Sequence, residues 1–390
     1  MSTALRGIGR PLDDPAGLGR AVDELLAARP EPPALLALGE PTHGITAFPL
    51  LRNEFLGHLV DRGYRSIALE TDVFAASIVD EYVAGGTAEI DTVLATGFSH
   101  GFGSVPGNRE LLEWLRAHNA GRPPADRVRF HGFDPPTEYA YAPSPRHALA
   151  SVADHLPSAL RPESARDLDE LCGEDADWTN EAAMFDPSAS IGDSDRARAL
   201  RVVADDLASA LRRAAPGLRP SDEARAHART AQGLLRYHAA MAGSGPDRMG
   251  TLLSVRAEMM AENLLAIVDQ ERRRGPTLVF AHNAILRPDT GEGWGSAGAL
   301  AALALDGRYV FVATDGNPDG APGTLQGVLA EATTRRSLFP TGELRAALPP
   351  STGQGEPIVP GHLPLDPAEL DGVDAVVFIA DTDGRRHWHW

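Results

Sequence analysis

The sequence predicts an α/β fold in which a mainly parallel sheet is flanked by helices in a three-layer α/β/α arrangement, with a helical insertion subdomain. Three observations support this prediction. Short apolar runs typical of buried parallel strands alternate with helical patterns. One long internal stretch carries helical patterns without a convincing strand. The chain has 390 residues, 43% of them apolar, which is enough to bury a large core.

Six segments have the pattern of buried strands, because they are short, apolar and bounded by turn residues. These segments are Ala34–Leu38, Ser66–Leu69, Val128–His131, Thr277–Ala281, Tyr309–Ala313 and Ala375–Ile379. Most of them are separated by helical patterns. This alternation predicts parallel pairing, since parallel strands need long crossover connections that are usually helical.

Helices are predicted where apolar residues recur at helical spacing, as in Ala47–Arg62, Val73–Val83 and Arg109–Asn119. Residues 144–274 are rich in Ala, Arg, Asp and Leu and are predicted to form a helical insertion or cap subdomain. Residues 1–143 and 275–390 are predicted to form the α/β core that carries the chemistry.

The composition excludes several classes of protein. The 54 acidic and 36 basic residues give a net charge of −18, which argues against binding to nucleic acid or to an anionic membrane. A single cysteine, Cys172, excludes an internal disulfide, and no apolar run reaches the roughly 20 residues of a membrane span. The N-terminus lacks the apolar core of a signal peptide, so we expect a cytoplasmic protein. The oligomeric state is not indicated by the sequence.

All 36 basic residues are arginine, so the chain contains no lysine. This absence excludes a P-loop lysine, a Schiff-base lysine for pyridoxal phosphate and a Ser-Lys dyad. We expect no cofactor, and the predicted partner is a small-molecule substrate.

Ionisable side chains follow four of the predicted strands at the point where each strand ends. Glu40 and His43 follow the first strand, Glu70 the second, and His282 the fourth, while His131 and Asp134 follow the third. Ligands bind at the carboxyl ends of strands in open parallel sheets, so this placement predicts an acid–base site there.

Each of these residues also has a purely structural interpretation. Glu40 and Glu70 could cap the helices that follow them. His43 could lie exposed on a surface loop, His131 could be a hydrogen-bonded core histidine, and Asp134 could form a turn before two prolines. Considered together, the positions of Glu40, His43, Glu70 and His282 favour an acid–base site over four separate structural roles.

Three other motifs compete with this interpretation. Gly97–Gly101 fits the G-x-S-x-G nucleophile pattern, but the residues before it have a helical pattern instead of the strand that this motif requires. Gly293, Gly295 and Gly298 fit G-x-G-x-x-G, but they lie far from the preceding strand. The histidines and glutamates could bind zinc, yet no H-E-x-x-H helix is present, so no metal is predicted.

The motifs together resemble the erythromycin esterase family in order and spacing. The matching elements are Gly39–Gly44 with Arg52, Leu69–Thr71, Leu111–Asn119, Phe130–Asp134, Arg256–Asn263 and Ala281–Asn283. The resemblance implies hydrolysis of a lactone, with His43 as the general base that activates water and with Glu40, Glu70, Arg52 and His282 as its catalytic neighbours. Two positions differ from the family pattern, where this chain has Ile285 and Ala257 in place of a histidine and a carboxylate.

The predicted mechanism has no covalent nucleophile. Glu40 or Glu70 would orient the imidazole of His43, and Arg52 or His282 would stabilise the oxyanion. The residues predicted to contact the substrate are Thr42, Phe48, Asn283, Trp294, Asp134 and Arg256.

Two further functions stay open at this point. The same site could catalyse cyclisation, elimination or intramolecular acyl transfer in natural-product biosynthesis, since Ile285 would make the pocket drier. Alternatively, a helical cap could sequester an apolar small molecule without chemistry, in a pocket lined by Trp178, Phe185 and Trp294.

Overall fold

The computed structural model describes residues 5, 7–138, 141–288 and 293–386. The chain divides into two compact units. The first comprises Met1–Phe133 and Leu264–Trp390, and the second comprises Asp134–Asn263. The predicted helical insertion, residues 144–274, covers most of the second unit, whose limits lie about ten residues earlier at each end.

The first unit contains a sheet of eight strands. They are β1 (Arg10–Pro11), β2 (Leu35–Glu40), β3 (Ser66–Asp72), β4 (Arg129–Asp134), β5 (Thr277–His282), β6 (Tyr309–Asp315), β7 (Arg336–Pro340) and β8 (Ala375–Ile379). Their order across the sheet is β1-β7-β8-β6-β2-β5-β3-β4. The pairs from β8 through β6, β2 and β5 to β3 are parallel. The predicted α/β fold with a mainly parallel sheet is therefore confirmed.

Fifteen α-helices are present in the described part of the chain. They are α1 (Pro15–Ala27), α2 (Ala47–Val60), α3 (Ala76–Val83), α4 (Ile90–Thr96), α5 (Asn108–Asn119), α6 (Arg146–His155), α7 (Leu168–Cys172), α8 (Asp175–Trp178), α9 (Asp195–Leu218), α10 (Asp222–Met241), α11 (Arg248–Glu271), α12 (Asn283–Leu286), α13 (Ala297–Leu305), α14 (Leu325–Ala332) and α15 (Thr341–Ala347). Three of them, α2, α3 and α5, match the predicted helices within three residues at each end.

The central strands are apolar because they are buried on both faces. Every residue of β2 and β6 is buried, which is the environment of a parallel strand covered by helices on both sides. Helix α2 buries Leu51, Phe55 and Leu59 against this sheet at four-residue spacing.

The second unit has a hydrophobic core of its own. Residues from α6, α9 and α10 form most of it, including Leu149, Leu200 and Leu235. Trp178 is buried in the same core, and its indole N–H donates to the Cys172 carbonyl over 2.8 Å.

Two strands, β1 and β7, were not predicted from the sequence. Both pair in antiparallel fashion, β7 with β8 and β1 with β7. Strand β7 begins with Arg336 and Ser337 and ends in a proline, and β1 has only two residues, so neither has the apolar run of a buried parallel strand.

Candidate active site

The strand register brings the predicted ionisable residues to one edge of the sheet. In the parallel pair β2 and β5, Glu40 lies directly beside His282, and in the pair β3 and β5, Leu69 lies beside Phe280. Glu70, which follows Leu69, therefore lies on the same edge. His43 follows β2 by three residues, in the loop that leads into α2.

His43 lies between the two glutamates. Its Nδ1 is 2.9 Å from Oε1 of Glu40, which is a hydrogen bond. Its Nε2 is 3.9 Å from Oε2 of Glu70. The His43 side chain is 15% exposed, so the imidazole is held inside the protein and still reaches solvent.

Glu40 is a buried carboxyl group in an unusual position. Burial raises its pKa, and the hydrogen bond from His43 acts in the opposite direction. Its second oxygen, Oε2, is buried and has no hydrogen-bond partner among the described residues. A group with these properties is costly to bury and is typical of functional sites.

His282 is held in one neutral tautomer. Its Nε2–H donates to the carbonyl of Pro41 over 2.9 Å, and its Nδ1 accepts the N–H of Ala284 over 3.1 Å. Burial, together with the nearby His43, lowers the pKa of His282 to about 4. Its backbone N–H donates to Oε2 of Glu70 over 3.1 Å, which fixes that carboxylate.

Arg52 is a buried cation that projects from α2. Its guanidinium donates to Asn108 Oδ1 over 2.8 Å, to Gly107 O over 3.1 Å and to Asn53 Oδ1 over 2.9 Å. It also lies over the Phe280 ring, 5.0 Å from the centroid. Burial lowers the pKa of Arg52 to about 10, so the group stays positively charged at neutral pH.

These side chains line one cleft of about 370 Å³, a volume that includes its open mouth. The polar wall consists of Glu40, His43, Glu70, Arg52 and Asn108, and the remaining lining is mainly apolar, with Pro49, Leu69, Phe98, Phe102, Val105, Phe280 and Ala281. The Phe102 ring packs on the His43 imidazole, with centroids 4.9 Å apart. An apolar cleft with a few convergent polar groups is the usual form of a small-molecule site.

The cleft lining includes the five predicted catalytic residues except His282, whose ring lies 5.5 Å from that of His43. It also includes Asn108, Phe102 and Phe280, which were not predicted from the sequence. Asn108 is the first residue of α5, and its side-chain oxygen accepts a hydrogen bond from Arg52. Its position as a polar residue at the start of a helix was the only feature of the sequence that could have indicated it.

The other predicted substrate contacts in the first unit lie elsewhere. Phe48 is completely buried and packs in the hydrophobic core. Asn283 joins β5 to β6, donating to Thr314 O over 2.8 Å and accepting the Thr314 N–H. Thr42 is buried and accepts a hydrogen bond from Arg386 over 2.9 Å. Trp294 is 63% exposed.

Asp134 and Arg256 belong to the second unit and bind each other. The Arg256 guanidinium donates to both carboxylate oxygens of Asp134 over 2.9 and 2.6 Å, and Asp134 is fully buried. Such a bidentate pair is a strong structural contact.

Ser99 and His131, which also stood out in the sequence, have structural roles. Ser99 of the G-x-S-x-G pattern accepts the Asp72 N–H over 2.9 Å, and its own N–H donates to Thr71, so it fixes a turn. His131 is buried and hydrogen-bonded to Glu271 over 3.1 Å, as expected for a core histidine.

The family model for erythromycin esterase matches residues 59–350, about three quarters of the chain. The chain belongs to the erythromycin esterase family. The resemblance seen in the sequence is thus confirmed, and membership in this family supports an esterase-type hydrolase that acts on a small molecule. No curated protein matches the chain.

Three solved structures share the fold of this erythromycin esterase family member. A protein from Bacillus cereus is 17% identical, with a TM-score of 0.72 over 97% of this chain and 96% of the other. A succinoglycan biosynthesis protein is 16% identical, with a TM-score of 0.70 over 98% and 96%. A mutant of the erythromycin esterase EreC in its open conformation is 18% identical, with a TM-score of 0.66 over 93% and 94%.

The part of the chain that the structure describes lacks two features. None of the helices there is long and apolar enough to span a membrane. The same part of the chain contains no group of three or more His, Cys, Asp or Glu side chains arranged to hold a metal ion.

Proposed function

We propose that this protein hydrolyses a lactone or ester of a macrolide-like or other natural product, with His43 as the general base that activates water. The observation that carries the proposal is the placement of His43 between two buried carboxylates, 2.9 Å from Glu40 and 3.9 Å from Glu70, in an apolar cleft. The family match and the structural likeness to an erythromycin esterase support the substrate class.

In the proposed reaction, a water hydrogen-bonds to both His43 Nε2 and Glu70 Oε2, because the 3.9 Å between these atoms is longer than a direct hydrogen bond. His43 takes one proton from this water while the water oxygen attacks the acyl carbon. The π electron pair of the carbonyl moves onto the carbonyl oxygen, which becomes negatively charged. The carbonyl then re-forms as the bond between the acyl carbon and the alcohol oxygen breaks, and the departing alkoxide oxygen takes the proton from the His43 imidazolium to leave as the alcohol.

Glu40 and Arg52 stabilise the charges that develop in this reaction. An ionised Glu40 accepts the Nδ1–H of His43 and stabilises the imidazolium, as the acid does in a serine triad. Both ring nitrogens of His282 bind backbone groups, which favours Arg52 over His282 as the group that stabilises the oxyanion. His282 then acts by fixing Pro41 and Glu70. The reaction so described uses no cofactor or metal and is expected to take place in the cytoplasm.

Isotope labelling tests the reaction class. Macrolide lactones and simple esters, including 4-nitrophenyl acetate, are incubated with the protein in ¹⁸O-water and their products analysed by mass spectrometry. Hydrolysis places one ¹⁸O in the product carboxylate. A converted substrate without label would support cyclisation or elimination instead, which the largely apolar cleft lining favours as the second candidate. Tight binding of unchanged ligand would support sequestration.

The variant His43→Ala tests the general base. A well-placed base contributes roughly 10²- to 10⁴-fold in rate, so kcat is expected to fall by that factor while the thermal unfolding curve is retained. His58→Ala is the matched control, because His58 is also paired with a carboxylate at 3.0 Å but lies outside the cleft. Turnover of His43→Ala close to that of the unmodified protein would exclude His43 as the base.

A further inference from the structure

A fully buried Asp–His pair lies near the carboxyl end of the sheet. Asp315 ends β6, and His362 lies in the loop that precedes β8. Both side chains have zero exposed surface, and His362 Nε2 is 3.0 Å from Asp315 Oδ1. Neither residue lines the cleft, so the proposed reaction does not use them directly.

Backbone contacts fix the tautomer of His362 and the loop around it. The Ile358 N–H donates to His362 Nδ1 over 3.0 Å, so Nε2 carries the hydrogen and donates to Asp315. The other Asp315 oxygen accepts the Leu365 N–H over 3.0 Å. Asp315 therefore holds this loop to the end of β6 at His362 and Leu365, and His362 in turn binds Ile358 within the same loop.

The anchored loop contacts the backbone next to the catalytic residues. The Leu363 N–H donates to the carbonyl of Pro41 over 2.9 Å, and the same carbonyl accepts His282 Nε2–H over 2.9 Å. Pro41 directly follows Glu40 and lies two residues before His43. Its carbonyl is thus held from two sides, by one group from β5 and one from the loop that His362 anchors.

We propose that Asp315 and His362 are positioning residues for the Glu40–His43 pair, acting through the hydrogen bond from Leu363 to Pro41. This inference rests on the proposed function, since it assigns His43 the central role. A displacement of about 1 Å in a catalytic group costs about 10²-fold in rate, so a loosened Pro41 is expected to lower kcat without changing the apolar walls that bind substrate. Neither Asp315 nor His362 contacts the reacting atoms.

Three variants separate positioning from simple loss of structure. His362→Ala removes both hydrogen bonds of the imidazole, whereas His362→Gln supplies an amide donor for Asp315 and a carbonyl acceptor for Ile358. Leu363→Pro removes the N–H that binds Pro41 and keeps both side chains of the buried pair, and Leu363 itself is 54% exposed. His58→Ala is the matched control, because it removes an Asp–His contact of the same length away from the cleft.

The kinetic test uses hydrolysis of 4-nitrophenyl acetate. We expect His362→Ala and Leu363→Pro to lower kcat by roughly 10- to 100-fold with KM within about twofold, and His362→Gln to recover most of the loss. A folded Leu363→Pro protein with unchanged kcat would overturn the proposal, and so would a His362→Gln variant as impaired as His362→Ala.

The second test needs no substrate and separates this inference from the proposed function. Amide hydrogen exchange is measured by mass spectrometry in the peptide that spans residues 40–46. We expect exchange at least about tenfold faster in His362→Ala and Leu363→Pro than in the unmodified protein or His58→Ala. If the protein fails to hydrolyse any ester but this exchange still accelerates, the proposed function fails and the positioning contact stands. Unchanged exchange in both variants would overturn the positioning inference itself.

Discussion

At the scale of single residues, the protonation of His282 gives a clear pH dependence of stability. The pKa of His282 is lowered from 6.5 to about 4 in the folded protein. As pH falls below 6.5, the unfolded chain binds this proton first, so the folded state loses stability progressively until about pH 4. The loss from this one group is about 3 kcal/mol at most.

The variant His282→Gln checks this contribution. Glutamine can donate to Pro41 and accept from Ala284, but it does not titrate in this range. Urea unfolding at pH 7 and at pH 4.5 is therefore expected to show a smaller difference in the free energy of unfolding for His282→Gln than for the unmodified protein. An equal difference in both proteins would mean that His282 is protonated in the folded state at pH 4.5.

The ionisable residues of the cleft could be predicted from the sequence more completely than the apolar residues that line the cleft. Glu40, Glu70 and His282 could be predicted as neighbours because each lies near the end of a parallel strand. Phe48 and Arg52 lie one turn apart on the same buried face of α2, yet only Arg52 lines the cleft. Helical periodicity predicts burial, and it does not tell whether a buried residue faces the core or a cavity.

At the scale of secondary-structure elements, the contact between β2 and the start of α12 is very close. A Cβ added to Gly39 would lie 2.1 Å from Asn283 Oδ1 and 3.1 Å from its Cα. Asn283 joins β5 to β6, so its displacement would disturb the sheet edge that carries the site.

We therefore expect Gly39→Ala to destabilise the protein by roughly 1–3 kcal/mol, because the added methyl group overpacks this contact. Gly57→Ala in α2 is the control, since nothing lies within 4 Å of its added Cβ and alanine is a better helix former by about 0.5–1 kcal/mol. Urea unfolding of both variants measures the two effects. A Gly39→Ala protein as stable as the unmodified protein would show that α12 can move away from β2.

The strands that could be predicted and those that could not differ in their surroundings. The predicted strands were recognisable as short apolar runs, because parallel strands in the middle of such sheets are buried on both faces. The strands that escaped prediction, β7 and β1, are short and antiparallel. Strand β1 pairs with residues more than 300 positions away, such as Arg10 with Leu338, and β7 pairs with β8 about 40 positions away. Sequence patterns within a short window contain no information on such distant pairing.

At the scale of the whole molecule, each compact unit has buried charge that must stay paired. In the second unit, Asp134 is fully buried and its carboxylate accepts two hydrogen bonds from Arg256. Removal of one partner from a buried ion pair commonly costs about 3–5 kcal/mol, because a charge is left in a low-dielectric environment.

Arg256→Ala is accordingly expected to destabilise the protein by about 3–5 kcal/mol at neutral pH. Urea unfolding followed by circular dichroism measures the total effect, and the buried Trp178 provides a fluorescence signal from the second unit. Arg198→Ala is the control, since Arg198 forms exposed ion pairs with Asp193 and Asp195 that contribute about 0–1 kcal/mol. A loss as small as that of the control would show that Asp134 is satisfied by its other contacts.

The two borders of the sheet have a consequence for behaviour at high concentration. The strand at one border, β1, has two residues and one of them, Pro11, has no N–H to offer. At the opposite border, the N–H of Phe130 in β4 is already bound by the Asp80 carboxylate over 2.9 Å. Both features reduce the free backbone N–H groups to which a foreign strand could add, and Asp80→Ala is expected to free the N–H of Phe130 for such pairing.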